Sequence, residues 1–308
     1  MYHVIINPGS RSGKTLALWE KKVKPAVDET GISYQTYFSN KEDGLAGIAT
    51  QLERENPQGD ICCILLGGDG SLNEFIQGFT DISRLVLGLI QCGSGNDLAR
   101  DLALPKNPTK AIRQILQNGT LHPMDLGEVR FPDGAARYFV TSTGVGFDAA
   151  VCEEVEHSKL KTLLNKIGLG KLVYLGVALK QIFGIKPFSC QLTLNEGEPA
   201  NLGKSLFIAG MNHRYEGGGF QFCPKADCTD GSLDLCLVGS LPRWFILLVL
   251  PTAFFGLHTL FPRISNATAE CYHVSCDVPT WIHTDGEAVR KEKSFDVVCH
   301  KKAFRMLY

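Results

Sequence analysis

The sequence lacks a strong excess of charge of either sign. Its 31 basic residues almost balance its 32 acidic residues, so the formal net charge is −1. Proteins that hold nucleic acid electrostatically concentrate Lys and Arg and are strongly basic. The balance excludes a general attraction to nucleic acid, and we expect no nucleic acid partner.

A secretory signal peptide and a disulfide pattern are also missing. The opening residues, MYHVIINPGS, contain no basic segment followed by a long apolar run. The eleven cysteines lack the regular spacing of a small disulfide-rich scaffold. We therefore expect a protein of the reducing cytoplasm.

Cysteine pairs with the spacing of structural zinc sites are not found either. Cys223 and Cys228 lie five positions apart, as do Cys271 and Cys276, and His273 lies within the second pair. Zinc sites usually combine closer pairs such as C-x2-C. Small buried hydrophobic side chains are the favoured interpretation of the cysteines.

The first half contains short apolar runs that end in loops rich in glycine. These are YHVIIN before PGSRSGK, ICCILL before GGDGS and LVLGLIQ before CGSGND, with YQTYFS (34–39) as a fourth candidate strand. Helix-like sequence follows each loop, and apolar runs that alternate with helices are typical of a parallel sheet covered on both faces. We predict an α/β domain with a parallel sheet over residues 1–128, to which residues 291–308 can return.

The glycine loops predict a phosphate site. In GGDGSLNE (67–74), Ser71 stands where an N-cap belongs and Glu74 completes a capping box, and Ser94 and Asp97 offer a similar box. Glycines before a helix let backbone amides approach a ligand, and a helix N-terminus attracts anions. Tight turns without a ligand are the alternative interpretation.

Two familiar phosphate motifs do not fit the spacing of these loops. GSRSGKT (9–15) has three residues between its glycines, whereas a Walker A loop has four. In the loop that begins at Gly93, Leu98 occupies the place of the third glycine of a dinucleotide fingerprint. A dinucleotide dehydrogenase is therefore disfavoured.

The second half alternates apolar and polar residues between turn signals. Segments such as RYFVTSTGVG, KSLFIAGMN and SFDVVCH show this period of two. Such segments predict an antiparallel β-sandwich, which we assign to residues 129–290. A chain of 308 residues with 44% hydrophobic content is long enough for two such domains.

Three motifs together resemble the diacylglycerol kinase catalytic domain family. NPGSRSGK, GGDGSLNE and CGSGNDLAR occur in the order and spacing of that family, and the resemblance continues through MDLGE (124–128), residues 212–235 and TDGE (284–287). Sphingosine and ceramide kinases are relatives, and NAD kinases and phosphofructokinases are more distant. The resemblance implies an N-terminal domain like those of the distant relatives, a C-terminal β-sandwich that binds lipid, and transfer of the γ-phosphoryl group of ATP to a lipid hydroxyl.

The resemblance also implies roles for individual residues. Glu287, in TDGE, would be the general base that accepts the proton of the lipid hydroxyl, and Asp125, in MDLGE, would support the site through water and magnesium. Phosphoryl transfer needs mainly positioning and neutralisation of charge, so glycine amides, Mg²⁺ and one carboxylate form a sufficient set. The residues expected to bind the nucleotide are Asn7, Ser39, Gly67, Gly68, Asp69, Gly70, Ser71, Asn73, Glu74 and Ser94.

An acidic turn in the second half, KADCTDGSLDL (225–235), is a candidate metal site. Its aspartates and carbonyl groups offer the oxygen ligands that magnesium prefers, although a plain β-turn explains the same residues. The family resemblance favours a structural Mg²⁺. It would be held by Asp230 and by the carbonyl oxygens of Asp227 and Ser232.

Two segments predict contact with a membrane surface. Residues 244–261, WFILLVLPTAFFGLHTLF, contain no charged Asp, Glu, Lys or Arg, but Pro251 and Gly256 interrupt them. We favour a helical hairpin that dips into the bilayer over a buried helix or a membrane span. Residues 158–186 carry six lysines among apolar residues and no acid, which suits an anionic membrane surface or a solvated helix face.

The sequence therefore predicts a cytoplasmic, peripherally membrane-associated lipid kinase that uses ATP and Mg²⁺. Diacylglycerol is the favoured acceptor, with a sphingoid or ceramide lipid as the alternative. NAD kinase and a lipid or nucleotide sensor without activity are weaker alternatives. The sequence leaves the oligomeric state open, with a homodimer as one option.

Overall fold

A computed structural model describes residues 1–93, 95–157, 176, 177, 180, 182, 184 and 186–308. The chain divides into two compact units. Unit 1 comprises Met1–Met124 and Lys302–Tyr308, and unit 2 comprises Asp125–Lys301. The C-terminal seven residues thus return to the unit in which the chain begins.

The strands lie in both units. In chain order they are β1 (Tyr2–Ile6), β2 (Tyr34–Phe38), β3 (Ile61–Gly67), β4 (Leu85–Gln91), β5 (Leu121–Arg130), β6 (Ala136–Phe139), β7 (Ser142–Gly146), β8 (Phe188–Leu194), β9 (Ala200–Met211), β10 (Leu233–Gly239), β11 (Ile264–Ala269), β12 (Cys271–Thr284) and β13 (Glu287–Leu307).

The α-helices are short, and several are extended by other helical turns. They are α1 (Ser10–Gly13), α2 (Thr15–Leu18), α3 (Lys24–Asp28), α4 (Gly44–Glu55), α5 (Asp69–Ile76), α6 (Asp97–Asp101), α7 (Pro108–Arg113), α8 (Phe147–His157) and α9 (Arg243–Val249). Turns of 3-10 helix occupy Ile82–Arg84, Leu250–Phe255 and Leu257–Leu260, and π-helical turns occupy Trp19–Val23 and Gln114–Asn118.

Unit 1 is built on a sheet in the order β2-β1-β3-β4, in which each neighbouring pair is parallel. The end of β13 adds to this sheet, since Arg305 and Met306 pair with Val86 and Leu87. The strands read as continuous apolar runs because both faces are buried. Parallel strands end at one edge of the sheet, so the loops after β1, β3 and β4 meet there.

Helix α4 shows how the sequence pattern buries one face of a helix in unit 1. Leu45, Ile48, Ala49 and Leu52 are buried. Their spacing of three and four residues places them on one face of the helix, which is the apolar face of an amphipathic helix. The polar residues between them remain towards solvent.

Unit 2 is β-rich, as predicted. Strands β9 and β12 each pair with both β7 and β8, so these four antiparallel strands close into a ring. Strands β10 and β11 extend the sheet beyond β9, and β13 pairs with β12. Apolar side chains from alternate positions of the strands form the core, as the period of two requires.

Of the two segments predicted to contact a membrane, the structure describes residues 244–261 in full but only a few residues of 158–186. Residues 158–186 lie outside the described residues, except for 176, 177, 180, 182, 184 and 186. Residues 244–261 form the rest of α9 and the two 3-10 turns that follow it, with Gly256 in the left-handed conformation between them (φ 67°). No helix in the described ranges combines the length and apolar character needed to cross a bilayer.

Candidate functional site

The two glycine-rich loops of unit 1 touch at Gly68 and Gly93. A Cβ atom on Gly68 would lie 2.5 Å from the Cα atom of Gly93, and a Cβ atom on Gly93 would lie 2.7 Å from the Cα atom of Gly68. The loops are held together because the Cys92 amide donates to the Gly67 carbonyl at 2.7 Å. Packing between the loops therefore requires glycine at both positions.

Helix α5 begins three residues earlier than its sequence predicted. Gly68 is the N-cap residue, with an extended backbone, and Asp69 is the first helical residue. The prediction that Ser71 is the N-cap is therefore wrong. Its hydroxyl instead accepts a hydrogen bond from Asn7 Nδ2 and lies within hydrogen-bond distance of Ser10 Oγ, both at 3.0 Å. Ser71 thus ties the loop after β1 to the start of α5.

Asp69 caps the helix that follows the other glycine loop. Its Oδ2 atom accepts from the Asp97 amide at 3.0 Å, and its Oδ1 atom lies 3.4 Å from the Leu98 amide. The predicted box of Ser94 and Asp97 is therefore wrong as the cap of α6, and Ser94 itself lies outside the described residues. Asn96 completes the loop from a left-handed conformation, with its side chain bonded to the Gly93 amide and carbonyl, each at 2.9 Å.

Glu74 also caps a neighbouring helix rather than its own. Its Oε1 atom accepts from the Leu45 amide at 2.7 Å, at the start of α4. Gly44 precedes that amide with a φ of +61°, and a Cβ atom there would lie 2.2 Å from Glu74 Oε1. The predicted reciprocal box of Ser71 and Glu74 is absent because the chain uses each side chain to join two elements.

The remaining nucleotide candidates divide into two groups. Ser39, whose amide donates to the Ile6 carbonyl at 3.0 Å, and Gly67 lie at strand ends, beside the loops. Gly70 lies in the first turn of α5. Asn73 is fully buried and bonds Gln77 along the same helix. The strand ends and the first turn of α5 therefore gather Asn7, Ser39, Gly67–Gly70 and Ser71, whereas Asn73 and Glu74 point into helix packing.

In unit 2, Glu287 follows a tight turn between β12 and β13. Asp285 and Gly286 both have positive φ angles, of 50° and 80°, which is the geometry of a two-residue hairpin turn with Asp-Gly. The Asp285 carboxylate accepts from the amides of Val140, Thr141 and Ser142 at 2.7 to 3.0 Å. Three charge-assisted hydrogen bonds fix the turn.

Arg137 orients the side chain of Glu287 directly. Its Nη2 atom donates to Glu287 Oε2 at 2.8 Å, and its Nε atom donates to Thr284 Oγ1 at 2.9 Å. About 40% of the Glu287 side chain stays exposed, so one guanidinium holds the carboxylate without closing it off from solvent. Arg137 was not predicted, because nothing in its local sequence marks it.

A buried charge cluster lies behind the same turn and was also missed. His283 is fully buried, with its Nε2 atom 2.7 Å from Asp148 Oδ2 and 3.2 Å from Glu216 Oε1. Burial lowers the pKa of His283, but the two carboxylates outweigh it and raise the pKa to about 9. On the other side of the ring, the Gly286 amide donates to Nδ1 at 3.2 Å, so Nε2 faces the carboxylates of Asp148 and Glu216 while Nδ1 accepts from the turn.

A direct contact between His283 and Asp148 holds the cluster together. Cys152 brings its sulfur within 4.8 Å of the ligand atoms of Asp148 and His283, which is a donor set that zinc accepts. A zinc ion with bonds of about 2.0 to 2.2 Å would hold nitrogen and oxygen more than 3 Å apart. The observed 2.7 Å is the length of a direct hydrogen bond.

Asp125 is fully buried and anchors the acidic turn. Its Oδ2 atom accepts from the Gly231 amide at 2.6 Å, and its own amide donates to the Cys228 carbonyl at 2.7 Å. Asn212 supports this arrangement, because its side-chain amide donates to the carbonyls of Asp125 and Val140. The carboxylate thus faces the backbone of the predicted metal-binding turn.

The acidic turn offers donors that suit a magnesium ion. Asp230 is exposed, and one of its carboxylate oxygens accepts from the Ser232 amide at 2.9 Å. The Asp227 side chain is used within the turn, by the amide and hydroxyl of Thr229. Its carbonyl has only a long 3.4 Å contact, with the Asp230 amide. Carbonyl and carboxylate oxygens are the ligands that Mg²⁺ prefers, so these residues fit the ion.

Comparison with known proteins shows the class of protein to which the chain is similar. Residues 1–129 match the diacylglycerol kinase catalytic domain, and residues 141–303 match the YegS C-terminal NAD kinase beta sandwich-like domain. The chain is 31% identical over 221 residues to a diacylglycerol kinase of Mycobacterium tuberculosis, covering 71% of this chain and 68% of that protein. It is 25% identical over 294 residues to the putative lipid kinase YtlR of Bacillus subtilis, covering 92% of each.

A solved structure agrees with these matches. A putative diacylglycerol kinase from Bacillus anthracis superposes with a TM-score of 0.75 at 23% identity, over 100% of this chain and 96% of that one. The fold and the matches together define a lipid kinase, a transferase that binds nucleotide. The chain belongs to the diacylglycerol kinase family.

Proposed function

We propose that this lipid kinase transfers the γ-phosphoryl group of ATP to diacylglycerol and forms phosphatidic acid. The observation that carries the choice of acceptor is the Mycobacterium tuberculosis relative, which is named a diacylglycerol kinase. A sphingoid or ceramide lipid is the alternative within the same chemistry. An NAD kinase would have no use for the apolar side chains that unit 2 exposes around α9.

In the proposed reaction, unit 1 holds the nucleotide. The backbone amides of Gly68 to Ser71 point out of the first turn of α5, where the helix dipole favours the negative phosphates. Asn7 and Ser71 are already bonded to each other, so their polar atoms are positioned before a nucleotide arrives. A site that is organised in advance loses less entropy when it binds.

Glu287 acts as the general base of the proposal. The lipid hydroxyl attacks the γ-phosphorus, the bond to the bridging oxygen of ADP breaks, and the hydroxyl proton passes to the Glu287 carboxylate. Arg137 and the Asp285 turn hold that carboxylate in place. Asp125 supports the acidic turn from the interior of unit 2.

Magnesium is part of the proposal as a bound ion. Asp230 and the carbonyl oxygens of Asp227 and Ser232 would hold a structural Mg²⁺ in the acidic turn. When bound, the ion supplies positive charge that fixes the turn and neutralises its carboxylates.

Contact with the membrane follows from the exposed side chains of residues 244–261. Trp244, Leu248, Phe255 and Leu260 are each exposed by 61 to 79%, whereas Ile246 and Val249 of the same helix are buried. Large apolar side chains gathered on one short segment mark an interaction surface. We propose that this segment dips into the bilayer that supplies the lipid, which makes the kinase a peripheral membrane protein of the cytoplasm.

One experiment tests the acceptor. The purified chain receives ATP labelled in the γ-phosphate and, separately, diacylglycerol, sphingosine, ceramide, monoacylglycerol and NAD, and chromatography separates the products. We expect label in phosphatidic acid. Label only in a sphingoid or ceramide phosphate would replace the proposed acceptor with the alternative, and label only in NADP would overturn lipid phosphorylation.

A further inference from the structure

Unit 2 contains a polar cleft that is separate from the residues proposed to take part in the kinase reaction. A cleft of about 580 Å³ opens between the ends of β9, β10 and β11. Its lining includes Lys204, Ser205, Ser240, Arg263 and Ser265 together with the apolar residues Leu202, Leu237 and Val238. None of the residues assigned to nucleotide, metal or proton transfer contributes to it.

The charge of the cleft has one sign. Lys204 and Arg263 both line it, and none of its lining residues is acidic. Neither cation forms an ion pair with another residue of the described ranges. The hydroxyl groups of Ser240 and Ser265 add hydrogen-bond donors, whereas the buried Ser205 hydroxyl contacts Cys190. Two cations with hydroxyl groups and no carboxylate form a site for a phosphate-sized anion.

The Arg263 guanidinium and the backbone of Lys204 are both bonded to Ser240. Arg263 Nη1 donates to the Ser240 carbonyl at 2.7 Å, and the Gly239 amide donates to the Arg263 carbonyl at 2.8 Å. The Ser240 amide donates to the Lys204 carbonyl at 2.7 Å. Arg263 adopts a left-handed backbone with a φ of 65°, which disfavours any residue except glycine.

The cleft adjoins both ends of the apolar segment 244–261. Ser240 lies four residues before Trp244, and Arg263 lies two residues after Phe261. If Trp244 and Phe255 enter a bilayer, the start and the end of their segment reach the layer of lipid phosphates. The cleft therefore lies where a membrane presents phosphate groups.

We propose that this cleft binds the phosphate of an anionic phospholipid, which is neither the acceptor nor the nucleotide of the kinase reaction. The lipid phosphate sits between Lys204 and Arg263, and its glycerol end remains at the membrane surface beside α9. Bound phospholipid thus anchors unit 2 to anionic membranes at a defined site. The location of the cleft at the bilayer depends on the proposed membrane contact, but its chemistry does not depend on phosphoryl transfer.

The first test measures sedimentation with vesicles of phosphatidylcholine alone and of phosphatidylcholine with phosphatidylglycerol. One cation near an anionic surface contributes roughly a fivefold change in partition. We expect Lys204→Gln and Arg263→Gln each to lose at least about tenfold on anionic vesicles and nothing on neutral ones. Arg243→Gln is the matched control, because Arg243 is exposed beside the same segment but does not line the cleft. An equal fivefold loss in all three variants would show general attraction only and would overturn the proposal.

The second test needs neither a vesicle nor ATP. Dihexanoyl phosphatidylglycerol, below its micelle concentration, is titrated into the protein by calorimetry, with inorganic phosphate as the second ligand. We expect saturable binding at one site in the parent and in Trp244→Ser/Phe255→Ser, and no binding in Lys204→Gln with an unchanged melting temperature. Equal affinity for inorganic phosphate would assign the cleft to a free anion and overturn a lipid ligand. Since no turnover is measured, failure of the acceptor assay leaves this result unaffected.

Discussion

Asp69 and Asp97 connect the two glycine-rich loops of unit 1, because the carboxylate of Asp69 accepts the Asp97 amide at 3.0 Å. The acidic residue of GGDG is thus the N-terminal cap of α6, 28 residues further along the chain. Asp69 is therefore both the side chain that caps α6 and a candidate ligand of the nucleotide. Both loops must keep their mutual position for either helix to begin where it does.

The first prediction separates these roles. Asp69→Ala removes the cap and should lower the free energy of unfolding by about 1 kcal/mol. It should also weaken nucleotide binding, because the two loops lose their connection. Asn107→Ala is the control, since Asn107 caps α7 through the amides of Thr109 and Lys110. Denaturant unfolding and nucleotide titration measure the two effects. A similar loss of stability with equal nucleotide affinity in both variants would remove Asp69 from the nucleotide site.

Gly68→Val is a less selective probe of the same loop. The added side chain meets the backbone of Gly93 before it meets any ligand, so we expect lost nucleotide binding together with lower stability. A variant that keeps parental affinity for ATP would show that the loop is only a turn.

The second prediction concerns the general base. Glu287→Gln keeps the shape of the side chain and removes the proton acceptor, so turnover should fall by roughly 10²-fold or more. Nucleotide affinity should stay unchanged, because Glu287 belongs to unit 2. Glu292→Gln, on the same strand and paired with Arg290, is the control and should keep its turnover. If Glu287→Gln retains near-normal turnover, the base lies elsewhere, with Asp125 as the next candidate.

The third prediction follows from the raised pKa of His283. A pKa raised from 6.5 to about 9 on folding stabilises the protein fully below pH 6.5, and this contribution is lost as the pH rises to 9. His283→Gln should therefore lower the melting temperature strongly at pH 6 and much less at pH 9.5. His273→Gln, which removes an exposed pair with Asp296, should show a smaller loss at pH 6. A loss at His283 that does not vary with pH would contradict the raised pKa.

The fourth prediction tests the magnesium proposal without measuring activity. An ion that binds only the folded state raises the melting temperature, and the rise grows with the ratio of ion concentration to Kd. Mg²⁺ should raise the melting temperature of the parent and should leave the melting temperature of Asp230→Ala unchanged. Asp296→Ala, on the surface of β13, should respond as the parent does. No shift in the parent at millimolar Mg²⁺ would argue against a structural ion in this turn.

Strand positions were predictable from the sequence because continuous apolar runs bounded by glycine are a local signal. The runs at 2–7, 61–66 and 85–91 correspond closely to β1, β3 and β4. The hairpin turn at Asp285 and Gly286 depends on a local signal of the same kind, since it needs two residues that tolerate positive φ.

Contacts between distant elements were not predictable in this way. Glu74 has the spacing of a capping box, but it reaches the amide of Leu45 in another helix. His283 occupies an alternating strand position that predicts only burial, and its two acidic partners come from residues 148 and 216. Arg137 likewise meets Glu287 across 150 positions of sequence. Local pattern fixes the elements, whereas these side chains acquire partners only when the elements assemble.

The last prediction concerns the membrane. Phe254 stacks on Phe220 with ring centroids 4.0 Å apart, so its replacement would disturb the fold. Trp244 and Phe255 are exposed by 64% and 74% and are the better probes. Trp244→Ser/Phe255→Ser should bind vesicles more weakly and raise the apparent KM for lipid presented in vesicles. Activity on a short-chain, water-soluble diacylglycerol should survive, because the glycine-rich loops proposed to bind phosphate are in unit 1.

The control for this variant is Ile246→Ser, which removes an apolar side chain from the buried face of the same helix. That variant should melt at a lower temperature, as the loss of a core side chain requires. The exposed pair should keep the parental melting temperature, since it contributes little to the core. Salt should weaken binding of the parent to anionic vesicles and leave neutral vesicles nearly unaffected, because only the Coulomb contribution is screened. Parental vesicle binding by a folded Trp244→Ser/Phe255→Ser protein would show that residues 244–261 do not enter the bilayer.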